Sequence, residues 1–106
     1  MTADELYAAE DTARQAMTAA VLDYDGASYD GIEAAYVAFD AIIDACPDNA
    51  NRAASLSALV LCKMRAKAHL ATRGIESARV SPGDYLAIIT GGLCDARMLA
   101  VQSLFG

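Results

Sequence analysis

The side chains able to do chemistry are few in this chain. It has one histidine, His69, and three cysteines, Cys46, Cys62 and Cys94. The cysteines stand far apart and form no CxxC, so neither the spacing of a zinc site nor that of a redox motif is present. No Glu-x-x-His pair of the kind used by di-iron bundles occurs. Gly91-Gly92 is not followed by Lys and Ser or Thr, which excludes a phosphate-binding P-loop. Asp23-Tyr24-Asp25-Gly26 with Asp30 has a faint likeness to a calcium loop. Counted from Asp23, however, the sixth position is Ser28 rather than glycine and the twelfth is Ala34 rather than a bidentate Glu. These absences predict a protein with no metal, no cofactor and no catalytic constellation. The cysteines read as small buried hydrophobes and His69 as a surface residue. A minor alternative is a small enzyme or ligand-binding bundle using Tyr36, Cys62 or His69.

The carboxylates are the more informative set. Eleven of the fourteen acidic residues fall in the first 48 positions, where Arg14 is the one base. The remainder carries three acids and seven bases. On a helical projection from Ile32, Glu33, Asp40 and Asp44 fall at about 100°, 80° and 120°, with Val37 among them and Asp30 near the start of the stripe. Asp40 and Asp44 form a like-charged i,i+4 pair, which disfavours an isolated helix. Such a face either keeps an Ala-rich surface solvated or serves a partner. The partner reading assigns Asp23, Asp25, Asp30, Glu33, Asp40 and Asp44 to docking on a basic surface of a protein or ribonucleoprotein. Its most concrete form is an inhibitor of a nucleic-acid-processing defence complex, acting sterically or by nucleic-acid mimicry. Phage and mobile-element inhibitors of host defence, anti-CRISPR and anti-restriction proteins among them, use this strategy. The likeness is compositional and no motif carries it.

A counter-set of bases, Arg52, Lys63, Arg65, Lys67, His69 and Arg73, lies in the second half. Arg65, His69 and Arg73 share one row, and Lys63 and Lys67 another near the apolar margin. Three roles are open to them: complementing a helix C-terminus, pairing with the acidic segment, or contacting an anion or RNA. The last is disfavoured by the net charge of −6 and by the lack of interleaved aromatic residues.

These residues need helices to position them, and the chain is built for helices. Hydrophobic residues make up 56% of it, 24 alanines supply the largest share, and Trp is absent. Alanine has the highest helix propensity and lets helices approach closely. The spacing predicts one domain, residues 1–106, with helices over about 3–23, 30–46, 49–73 and 82–104, in a compact antiparallel all-α four-helix bundle. Thr2 and Glu5 have capping-box spacing, Asp30 reads as an N-cap, Pro47 ends the second helix, Asp48 or Asn49 caps the third, Gly74 stops it, and Ser81-Pro82 opens the fourth. The predicted core stripes are Leu6, Ala9, Ala13, Ala16 and Ala20, widened by Met17, Val21 and Tyr24; then Ile32, Tyr36, Phe39, Ile43 and Cys46. The third helix offers Leu56, Leu59, Val60, Leu61, Met64 and Leu70, and the fourth Leu86, Ile89, Leu93, Ala96 and Ala100. Gly91-Gly92, in mid-helix, marks either a kink or a close crossing.

The end of the fourth helix has an apolar surplus, Met98, Leu99, Val101, Leu104 and Phe105, read as a subunit interface or as an all-round buried helix. This supports an alternative function as a structural or regulatory homo-oligomer, in particular a homodimer. No long uncharged apolar run predicts a membrane span. The unpaired cysteine count and the lack of a signal-peptide pattern predict reduced thiols in a cytoplasmic protein.

Overall fold

A computed structural model describes residues 2–22, 27–76 and 82–105. They form four helices: α1 (Ala3–Leu22), α2 (Ala27–Asp44), α3 (Ala50–Glu76) and α4 (Pro82–Ser103). Successive helices pack side by side, and α4 returns to α1. The diagonal pairs scarcely touch, so the arrangement is a closed four-helix bundle, as its sequence predicts. It measures 45 × 19 × 17 Å.

The termini of the helices follow from local chemistry. The Glu5 amide donates to Thr2 Oγ1 at 3.3 Å, and Asp4 and Glu5 occupy the positive end of α1. In α2 the helix begins a turn earlier than the sequence suggests. Asp30 is therefore not the N-cap but lies inside the first turn, where its charge still meets the helix dipole. Toward Pro47 the chain tightens through i→i+3 bonds, Ala45 N–H to Ile42 carbonyl and Cys46 N–H to Ile43 carbonyl. Asn49 Oδ1 accepts from the Arg52 amide at 3.1 Å and caps α3, while its Nδ2 donates to the Ser103 carbonyl at 2.8 Å. One side chain thus closes the start of α3 and the end of α4. The predicted stop at Gly74 is overturned: α3 continues to Glu76, because a glycine inside a helix costs only about 1 kcal/mol and need not end it. Pro82 is the first residue of α4, as its fixed φ favours; Ser81 lies outside the described residues.

The core is built from Leu6, Met17, Ile32, Phe39, Ile43, Leu59, Ile89 and Leu93, all essentially inaccessible. Burying each contributes about 1.5–3 kcal/mol, whereas the alanines between them chiefly set how near the helices come. On α1, α2 and α4 the large buried apolar residues fall on the predicted stripes. Ala20, Val21, Tyr24, Leu70 and Leu86 lie outside the residues whose side chains are described.

On α3 the prediction fails for three residues. Val60, Leu61 and Met64 are exposed, and the buried face is Ser55, Leu59, Cys62 and Ala66. The reason lies in α4. A Cβ on Gly92 would stand 2.9 Å from both Cβ and Sγ of Cys62, so the two helices meet here at backbone distance. Only small residues fit such a seam, and they turn α3 so that Val60, Leu61 and Met64 point outward. Above and below, Ser55 Oγ donates to the Ala96 carbonyl at 2.6 Å and the Cys62 thiol points at the Ile89 carbonyl at 3.8 Å. The glycine pair is thus a crossing point at residue 92, while Gly91 faces open space.

This asymmetry gives opposite outcomes for two adjacent alanine substitutions. Gly92→Ala sets an overpacking cost of about 1–3 kcal/mol against a smaller propensity gain and lowers stability. Gly91→Ala meets no atom and raises stability by about 0.5–1 kcal/mol. Urea unfolding of both variants checks this; two variants shifted in the same direction would contradict the close crossing.

Candidate functional site

The carboxylate stripe lies along the edge of α2 that borders α3, and the structure divides its members. Glu33 is held from within: Lys67 Nζ donates to its Oε2 at 2.6 Å and Lys63 Nζ lies 3.7 Å from Oε1. Lys63 also sits over the Tyr36 ring at 3.9 Å from the centroid, a cation–π contact. The hydrogen bond from Lys67, reinforced by both lysine charges and opposed by desolvation, lowers the Glu33 pKa. Partial burial, with the charges of Asp40 and Glu33 adding to it, raises that of the Tyr36 phenol.

Asp44 sits at the other end of the stripe. Its carboxylate lies 3.6 Å from Arg52 Nη1, and its backbone carbonyl accepts from the same nitrogen at 3.0 Å. Arg52 Nη2 bonds Asp48 at 2.9 Å, so one guanidinium staples the α2–α3 turn and shares its charge between two acids. Asp30 is exposed and Asp40 half-buried, and neither has a cationic partner among the described residues. Asp23 and Asp25 lie outside the described residues.

Of the α3 bases, Arg52, Lys63 and Lys67 pair with acids of α2 and of the turn after it. Lys63 and Lys67 stand well inside a helix that runs to Glu76, too far from its end to act on the dipole, which falls off within the last turn. Arg65 is exposed; the side chains of His69 and Arg73 lie outside the described residues.

Cys46, Cys62 and Cys94 are free thiols, the first two buried and the third half-buried. Burial pushes the Cys62 thiol up to about 11, which keeps it protonated and unreactive at neutral pH. Among the described residues no group of three His, Cys, Asp or Glu side chains is placed to hold a metal ion.

Sequence reasoning missed one arrangement. Glu10, buried, and Arg97, largely but not wholly buried, meet between α1 and α4 with Arg97 Nε 2.6 Å from Glu10 Oε2. The contact is ionic rather than a well-directed hydrogen bond. The guanidinium also stacks on Tyr7, 4.1 Å from the ring centroid, and Nη2 donates to Cys94 Sγ at 3.1 Å. A signal was there: Glu10 interrupts the buried stripe between Leu6 and Ala13, a position a lone carboxylate would not tolerate without a partner.

The apolar surplus is distributed over two helices. Met98 is exposed, Phe105 is 83% exposed, and Leu99, Val101 and Leu104 are half-buried, so α4 is not buried all round. Beside it stand Val60, Leu61 and Met64 of α3, with Met64 59% exposed. A shallow groove of about 690 Å³ runs between these helices, lined by Arg65, Ala68, Ala87, Ile88, Gly91, Gly92 and Asp95. A second groove, about 460 Å³, lies between α1 and α2; Glu5 and Thr12 join alanines, Phe39 and Ile42 in its walls. Among the described residues no helix is long and apolar enough to cross a membrane.

No protein-family model, curated protein or solved structure matches the chain.

The Glu33 pair has a defined pH signature. A carboxyl whose folded pKa lies below its ordinary value of 4.5 stabilises the fold fully above that value and loses this contribution as pH falls through the lower, folded one. Glu33→Gln is accordingly less stable than the parent at neutral pH, and the gap closes toward about pH 3, below the ordinary carboxylate range. Denaturant titrations at both pH values measure the gap; one that stays constant with pH would contradict the pairing.

Proposed function

We propose that this chain is a non-enzymatic helical binding protein that engages a basic surface of another macromolecule through its acidic half. Its most concrete form is an inhibitor that sterically blocks a nucleic-acid-processing complex, as phage and mobile-element inhibitors of host defence do. One observation carries the reading. Among the described residues Asp4, Glu5, Asp30 and Asp40 have no cationic partner, and Asp44 and Asp48 share Arg52. A bundle that needed charge only for orientation has that in Glu33 with Lys63 and Lys67. The remaining acids add self-repulsion, including the Asp40–Asp44 pair.

Magnitudes choose between two forms of this reading. Asp30, Asp40 and Asp44 extend over 14 residue steps of helix, about 21 Å of rise. A DNA strand sets a phosphate about every 3.4 Å over the same length. Three carboxylates in place of about six phosphates fit a basic patch on a protein better than a charge-for-charge copy of a duplex. Glu33, already paired with Lys63 and Lys67, adds its charge to the local field.

Parallel capture with the parent chain and with Asp40→Lys/Asp44→Lys as bait, from lysate of the native host, tests the proposal. The parent retains a nucleic-acid-handling complex at low salt and releases it near 1 M salt, where the screening length is about 3 Å. The variant, with an unchanged helical circular-dichroism spectrum, retains it at least about tenfold less, a loss of about 1.4 kcal/mol. Equal capture by both baits would contradict the acidic docking face.

A further inference from the structure

We propose that the outer face formed by α3 and α4 is the interface of a homodimer, with a second copy of this chain as its occupant. The face is unlike an ordinary solvated helix surface. Ala53, Ala54, Ser57, Val60, Leu61 and Met64 all point outward from α3 and none is charged. On a bundle helix the side away from the core is normally polar. Ile88 and Met98 of α4, also exposed, continue the patch across the groove. Gly91, Ala68 and Ala87 keep the groove shallow, so another helix can lie close against it. A face within a 45 × 19 Å outline can supply the roughly 800 Å² per partner that a standard interface buries.

Charge identifies the occupant. Arg65 and Asp95 line the same groove, yet no ion pair joins them. The antiparallel register explains this. Cys62 stands opposite Gly92 and Ser55 opposite Ala96. Asp95 therefore lies near the level of residues 57–59 of α3, about 10 Å along the axis from Arg65 at 1.5 Å per residue. A two-fold axis running across the helices at the Cys62–Gly92 level exchanges these two levels. Arg65 of each copy then comes to the level of Asp95 in the other, twice over. Among the described residues this face carries one exposed cation and one exposed anion, placed symmetrically about its centre on an apolar ground, and so is complementary to itself, as an isologous interface requires.

Light scattering and sedimentation on the full chain test this. The parent runs at about twice its 11.1 kDa chain mass. Leu61→Glu, a change at an exposed position, yields folded monomer. Arg65→Asp and Asp95→Arg each weaken association at least about tenfold, because each sets two like charges across both contacts. Mixed in equal amounts, these two variants form a heterodimer, since every opposed pair then has opposite signs. A parent that stays monomeric at about 100 μM, well above the Kd of a typical specific dimer, overturns the proposal. So does a mixture that fails to associate although the parent is dimeric. Loss of basic-partner capture leaves the dimer mass untouched, so this inference and the acidic-face reading fail separately.

Discussion

Where α4 crosses α3, a single methyl group on residue 92 would come within 2.9 Å of Cys62 Cβ, a separation that real Cβ atoms essentially never show. The crossing fixes more than one contact. Ser55, Cys62 and Ala66 are the α3 residues small enough for the seam, and burying them sets the rotation of the whole helix. With that rotation fixed, Lys63 and Lys67 fall on the α2 side and Val60, Leu61 and Met64 face solvent. Asn49 fixes the lower end of the same seam by capping α3 and α4 together.

The two surfaces of functional interest are products of that rotation. On the α2 edge it brings lysines to Glu33 and leaves Asp30 and Asp40 with no cationic partner among the described residues. Exposed pairs of this kind are screened by solvent and contribute little, so they orient helices rather than hold the bundle together. The buried apolar side chains supply most of the stability, and the Glu10–Arg97 contact ties α1 to α4 at a place where either charge alone would be costly. On the α3–α4 face the same rotation exposes apolar side chains that a differently turned helix would bury. The acidic edge and the exposed apolar face are thus separate consequences of one packing constraint.

Much of this was legible in the residues. The 3–4 spacing of apolar positions marked all four helices, and Thr2, Asn49 and Pro82 marked three of their starts. The stripe of Glu33, Asp40 and Asp44 was visible as a helical face, and the pairing of α3 bases with it was one of the roles their positions allowed. Periodicity could not choose the buried side of α3, because that helix is apolar on two faces and only the partner across the seam decides between them. It took Leu61 and Met64 for core on hydrophobicity, whereas shape favoured Ser55 and Cys62. Glu10 and Arg97 escaped because their partnership spans 87 positions and joins helices whose adjacency only the closed bundle reveals. Asp30 read as a cap because its side chain suits that place equally well one turn further into a helix.

Thiol labelling resolved by residue tests the rotation of α3 most directly. The native protein is treated with a small alkylating reagent near neutral pH, and each cysteine is followed by peptide mass spectrometry, with unfolded protein as the reference in which all three react. The structure predicts that Cys94 is modified first while Cys62 stays protected, being both buried and protonated. Modification of Cys62 as fast as Cys94 in the folded protein would mean that α3 presents a different face to α4, and the account of both surfaces would fall with it.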